Sequence, residues 1–243
     1  MGKVFIAGGG KMNVPSADVL AGSLAVGSIV KLMENNQPVD YLVVHQGLPG
    51  TMYDASCLGC WVLRKDIFDK KIWSSSNLNA YKDSTINLYL NNEFYNLLGA
   101  IEKSIVKQVK IPYATEGPYP GSYDGQQGLS CKIFLLSTGE VGWSSNDLYL
   151  IPSIGAKLDY FISGSSENAN SKRIANYNGS PVYWWTRCPV TDNSKSVWVV
   201  NTSGHYGSTN SAGTEAIRPA LILPSNALFD KETMQLKGIK GGM

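Results

Sequence analysis

The sequence predicts an α+β domain: a mixed set of short strands with two helices and long loops. Three observations lead there. Short apolar runs at Tyr41–Val44, Ile133–Leu136 and Ile217–Leu223 carry little polar surface and read as buried strands. One clear stretch has the helical period, with Ile86, Leu90, Phe94 and Leu97 recurring at steps of three or four residues. The segments between are rich in turn formers, in a chain with 25 Gly and 11 Pro.

The elements follow in order. Residues 1–24 are rich in Gly, Ala and Ser and read as an extended lead-in or attachment segment. Gly10-Lys11 invites comparison with a phosphate loop, but Phe5 stands where the first glycine belongs and Met12 where a magnesium-binding Ser or Thr belongs, so that reading fails. Residues 25–225 form the main domain, with no linker that divides them, and residues 226–243 are expected to be a C-terminal tail. Within the domain, 28–33 and 40–45 read as a hairpin around Asn35–Pro38. A turn-rich crossing, 46–60, leads to a strand at Trp61-Val62-Leu63. Asp83 or Ser84 caps the main helix, and a second short helix at 100–106 precedes a strand at 109–112. Residues 115–128, with Tyr119 and Tyr123, read as a long exposed loop, and 137–147 as a loop holding Trp143. Residues 156–161 read as a short helix, and 163–171 as a mobile polar segment.

Composition narrows the function. A net charge of +2 with no basic stripe leaves no electrostatic footprint for nucleic acid. No apolar run approaches the roughly 18 residues of a membrane span, so no membrane insertion is expected. Gly8-Gly9-Gly10 ends the first apolar run too early for a secretory signal. Synthesis in the cytoplasm is the expectation, with exit by lysis or as part of a particle. Cys57 and Cys60 form a C-x-x-C that could be half a zinc site or a redox pair, but Cys131 and Cys188 supply no second pair and His45 and His205 are the only histidines. The expectation is four adventitious thiols, no metal and no cofactor. His45 lies in an apolar strand, where a core histidine is expected. Arg187 and Arg218 each sit among apolar residues shortly before a proline, and read as anchors for loop carbonyls or a buried carboxylate.

The last third, 183–224, has a distinct build. Tyr183, Trp184, Trp185 and Arg187 open it, IRPALIL closes it, and the residues between are mostly Thr, Ser, Asn and Gly around one apolar run, Val197–Val200. Composition alone describes loops. WWTRCP followed by IRPALILP resembles the WWLRSP … VRPALILPS signature of C-type-lectin-like domains, which are abundant in gut phages and prophages and related to the variable proteins of diversity-generating retroelements. YLVVHQGLPGTMYDASC, STINLYLNNEF, VKQVKIPY, KIFLLS, GAKLDYF and KRIANYNGS extend the resemblance over residues 24–225. Cys188 stands where Ser is usual, Thr186 where an apolar residue is, and Glu215-Ala216 where a Tyr-Gly pair is typical.

The resemblance implies a non-enzymatic, receptor-recognition protein, placed in or on a phage tail, that binds a bacterial surface protein or glycan, with neighbouring virion proteins as a further partner class. It leaves two other classes open: a structural virion or cell-surface module, and a formylglycine-generating-type oxidase. The Glu-Pro-Asn or Gln-Pro-Asp triplet of calcium-dependent sugar binders is missing, and Trp143–Asp147 only echoes their second motif. On this reading Trp184, Trp185 and Trp198 are core. Strand alternation then turns Trp198 and Val200 inward and Val199 outward. Val199 is expected to share one exposed surface with Thr186, Thr191, Asp192, Asn193, His205, Tyr206, Ser208, Thr209 and Asn210, with Tyr206 the anchor.

Overall fold

The computed structural model describes residues 18–117, 120–144 and 154–241. Two five-stranded sheets dominate it. The first runs Ile133–Phe134, Ala220–Leu223, Gly59–Arg64, Gln37–Gly47 and Ile29–Glu34 in spatial order, all neighbours antiparallel. Its hairpin turns at Asn35 and Asn36 with φ of 48° and 61°, the left-handed pair that a two-residue turn requires and that asparagine tolerates. The turn is therefore tighter than expected, and Pro38 already belongs to the strand opposite Met33.

The second sheet runs Tyr206–Asn210, Ser196–Val200, Trp184–Pro189, Thr214–Ile217 and Asp69–Ile72. The apolar run 217–223 is thus two strands in two sheets rather than one strand. Ile217 ends a strand of the second sheet, and Ala220 starts an interior strand of the first, between Ile133–Phe134 and Gly59–Arg64. Pro219, which has no N–H to donate to a ladder, marks the crossing.

A third sheet joins Asp18–Leu20, Ala227–Asp230 and Leu236–Ile239. Residues 18–24, in the expected lead-in, and 227–239, in the expected tail, thus form packed structure. Phe229 and Leu236 bury their side chains in the common core, and Lys31 donates its N–H to the Met234 carbonyl at 2.8 Å, closing the open edge of the first sheet. Short sequence spans of this kind carry too little periodicity to be read alone. Residues 1–17 of the lead-in lie outside the described residues, as do Tyr119, Asn146 and Asp147.

The expected α+β class is also corrected. Among the described residues 38% are strand against 15% helical, with one substantial helix, so the protein is mainly β. That helix spans 85–97, capped by Ser84, whose Oγ accepts from the Asn87 N–H at 3.1 Å. It buries Ile86, Leu90 and Phe94, while Leu97 is half-buried. Its middle, Leu90–Phe94, is π-wound, and there Asn91 turns its amide to the Ile133 carbonyl and to the N–H groups of Lys132 and Ile133. The second helix, Ala100–Ile105, is a turn and a half, and 156–161 forms no helix. The polar segment 163–171 instead ends in a short helix, Glu167–Ser171, capped by Ser166.

The two sheets meet over a buried ion pair. Glu140 and Arg187, both fully buried, form two hydrogen bonds of 2.5 and 2.6 Å. The Tyr53 hydroxyl and the Ser137 N–H also donate to Glu140, and Arg187 donates to the carbonyls of Pro112 and Leu135. Every charge at the centre is thereby met. Arg187 is an anchor, as expected, whereas no local pattern marks Glu140 as its partner.

Candidate functional site

The hairpin Ser196–Val200/Tyr206–Asn210 forms one side of the second sheet. Its strands pair in register from Ser196 opposite Asn210 to Val200 opposite Tyr206. Its turn is self-capped: the Asn201 side-chain oxygen accepts from the N–H groups of Ser203 and His205 and from the Ser203 hydroxyl. Gly204 has φ +77°, and a Cβ there would lie 1.9 Å from the Asn170 carbonyl oxygen. Only glycine lets this turn seat against the 167–171 helix.

Tyr206, Ser208 and Asn210 share the face on which Trp198 lies. Trp198 and Trp143 each meet the Tyr206 ring edge-on, at 6.1 and 5.9 Å, and His205 lies 4.1 Å from it. Tyr206 is half-buried in this aromatic support, with Ser208 and Asn210 exposed beyond it. Tyr206–Asn210 is an end strand of its sheet, paired on one side only among the described residues.

The preceding loop holds Asp192 and Asn193, both exposed, and Thr191, half-buried. It is fixed from beneath by Asn79, whose amide donates to the carbonyls of Asn193 and Ser196 and accepts from the Gly117 N–H. Asn79 is fully buried and 114 residues from Asn193 in sequence, so nothing local could have shown its role.

Eight of the ten expected contact residues therefore lie along this hairpin and the loop before it. Thr191, Asp192, Asn193, Ser208, Thr209 and Asn210 are near one end, His205 and Tyr206 near the other. Thr186 and Val199 do not join them; both are fully buried. Thr186 donates its hydroxyl to the Trp198 carbonyl at 2.7 Å, a structural bond inside the sheet. Val199 is buried because both faces of the sheet are covered at its position. Trp185, its cross-strand partner, packs toward Trp73, while Trp184 on the other face meets Arg173 and Arg218. Alternation separates faces but cannot tell which face meets solvent when neither does.

The four cysteines are free and buried, and the Cys57 and Cys60 thiols make separate bonds. Cys57 donates to the Lys110 carbonyl, whereas Cys60 accepts from the Gln46 amide. Burial pushes the Cys57 and Cys188 thiols up to about 11 and Cys60 up to about 12, and raises Cys131 as well. Thiols held protonated in this way are poor nucleophiles. Iodoacetamide at pH 8 is expected to label none of the four in the native protein and all four after denaturation, counted by intact mass. A native adduct would overturn the assignment of these thiols as inert. The shifts also set a pH dependence. The unfolded thiols ionise near 9, the native ones only at 11–12, so their stabilising contribution is complete below pH 9 and is lost as pH rises through 11–12. Urea midpoints taken between pH 8 and 10.5 should fall.

His45 is buried, with Nδ1 2.8 Å from the Asp159 carboxylate. Among the described residues, no three His, Cys, Asp or Glu side chains stand together as metal ligands.

Residues 59–225 match the model of a domain of unknown function, DUF6273, and the chain belongs to that family. No curated protein and no solved structure matches it.

Proposed function

We propose that this DUF6273 protein is a non-enzymatic recognition module that binds a bacterial surface protein or glycan through the 196–210 hairpin and the 190–195 loop. The observation that carries the reading is the support beneath the contact face. Trp198 and Trp143 hold Tyr206 edge-on while Ser208 and Asn210 stand exposed beside it. An aromatic anchor fixed by its neighbours binds at low entropic cost, and adjacent Ser and Asn side chains adapt their hydrogen bonds to a partner. The inert thiols weigh against an oxidase working through cysteine. The likeness of the WWTRCP … IRPALILP segments to phage recognition domains supplies the target class and a place in or on a phage tail.

The test uses the face itself. Ser208→Lys combined with Asn210→Lys places two charges on the exposed end of the edge strand without touching the core. Surface changes usually shift stability by about 0.5 kcal/mol or less, and Asn210→Lys adds the loss of the bond that its Oδ1 accepts from the Ala212 N–H at 2.9 Å. The wild-type protein is expected to adhere to intact cells of at least one species in a panel of gut bacteria, and the double variant to lose adhesion with its melting temperature kept. Adhesion retained by the folded double variant, or no adhesion by the wild type, would overturn the reading.

A further inference from the structure

The protein buries two arginines of the IRPALIL and WWTRCP segments, and treats them differently. Arg187 has Glu140. Arg218, 3% exposed, has no carboxylate within ion-pair distance among the described residues. It donates Nε to the Arg64 carbonyl at 2.9 Å, Nη2 to Lys65 at 2.8 Å and Nη1 to Arg173 at 3.4 Å. A guanidinium has five N–H groups. Three are used here, which leaves one on each terminal nitrogen.

Arg218 lines a cleft of about 410 Å³, within the range of roughly 300–1,000 Å³ usual for small-ligand sites. Lys65 and Lys172 line the same cleft, with Lys172 held 4.7 Å above the Tyr160 ring. Lys65 is only loosely engaged, 3.4 Å from Asp40, a carboxylate that already pairs with Lys31 at 2.8 Å. The cleft thus presents three cations against one lining carboxylate, Asp66. A buried cation with no carboxylate in ion-pair contact is costly, and burial pushes the Arg218 pKa down to about 10 although Asp66 acts on it from a distance in the other direction. An anionic group entering the cleft would relieve that cost, and a carboxylate suits a planar guanidinium.

We propose that the cleft lined by Arg218, Lys65 and Lys172 binds the carboxylate of an acidic saccharide. The rest of the lining favours a sugar acid over a bare anion. Asp66 repels a second negative charge but accepts hydrogen bonds from hydroxyls, and Tyr160, Asn176 and Ser171 offer further hydroxyl and amide partners. A ligand with one carboxylate and several hydroxyls satisfies this set, whereas a phosphate satisfies only the cations. The site lies outside the hairpin face and does not depend on it.

The test is calorimetric titration of the full chain with galacturonate, which carries one carboxylate, with neutral galactose and with inorganic phosphate. Galacturonate is expected to bind, the other two at least tenfold more weakly. Arg218 holds three carbonyls and its loss could unfold the protein, so the variants are Lys65→Gln and Lys172→Gln. Each should weaken galacturonate roughly tenfold, since a lost charge pair is worth on the order of 1.4 kcal/mol. The Ser208→Lys/Asn210→Lys variant should bind galacturonate as the wild type does, which separates failure of the cleft from failure of the hairpin. Equal binding of galactose, phosphate binding as tightly as the sugar acid, unchanged affinity in both lysine variants, or no galacturonate binding would each overturn the proposal.

Discussion

Replacing Glu140 by alanine is expected to destabilise the protein by about 3–5 kcal/mol, the usual cost of leaving one half of a buried ion pair alone. Arg187 would remain fully buried with only the Pro112 and Leu135 carbonyls to meet its charge, and the Tyr53 hydroxyl and Ser137 N–H would lose their acceptor. The pair's own net contribution is smaller than this, because desolvating two charges offsets most of their attraction. The double variant Glu140→Leu/Arg187→Met should therefore regain a large part of the loss. Urea denaturation of wild type, single and double variants decides the matter. A double variant as unstable as the single one would mean that packing around these positions, not the stranded charge, sets the cost.

Trp185→Ala should cost a similar amount, about 3–5 kcal/mol, the range measured for truncating buried aromatic side chains. Trp185 is fully buried between the second sheet and the 73–81 segment, tilted against Trp73 at 6.5 Å, and its Nε1 donates to the Lys71 carbonyl at 3.0 Å. Truncation removes the ring from a fully buried site, and relaxation of the surroundings fills a cavity of that size only in part. Trp185→Phe keeps much of the ring volume and gives up the indole bond, and it should cost clearly less. Total stabilities of domains run near 5–15 kcal/mol, so the alanine variant should unfold at a markedly lower urea concentration. A midpoint close to wild type would remove Trp185 from the core.

Local pattern made several elements legible. The period of Ile86, Leu90 and Phe94 marked the helix, and Ser84 was one of its two possible caps. Apolar runs marked Tyr41–Val44 and Ile133–Leu136, because a segment without polar side chains has to be covered whatever lies around it. The same logic placed Trp184, Trp185 and Trp198 inside, and the setting of Arg187 and Arg218 among apolar residues identified both as anchors.

What tertiary structure alone decided is partnership across long separations. Pairing of Asp18–Leu20 with Ala227–Asp230 joined segments from far apart in the chain into a sheet, and burial of Thr186 and Val199 took both out of the expected contact surface. Asn79 under the 190–195 loop, Glu140 beside Arg187 and the lack of any such partner for Arg218 among the described residues are likewise facts about neighbours. The physical reason is common to all of them. The period of a sequence reports which side chains share a face, but burial and charge compensation depend on what is packed against that face. Whether a buried arginine is closed by a glutamate or left open to a ligand is settled only when distant segments meet.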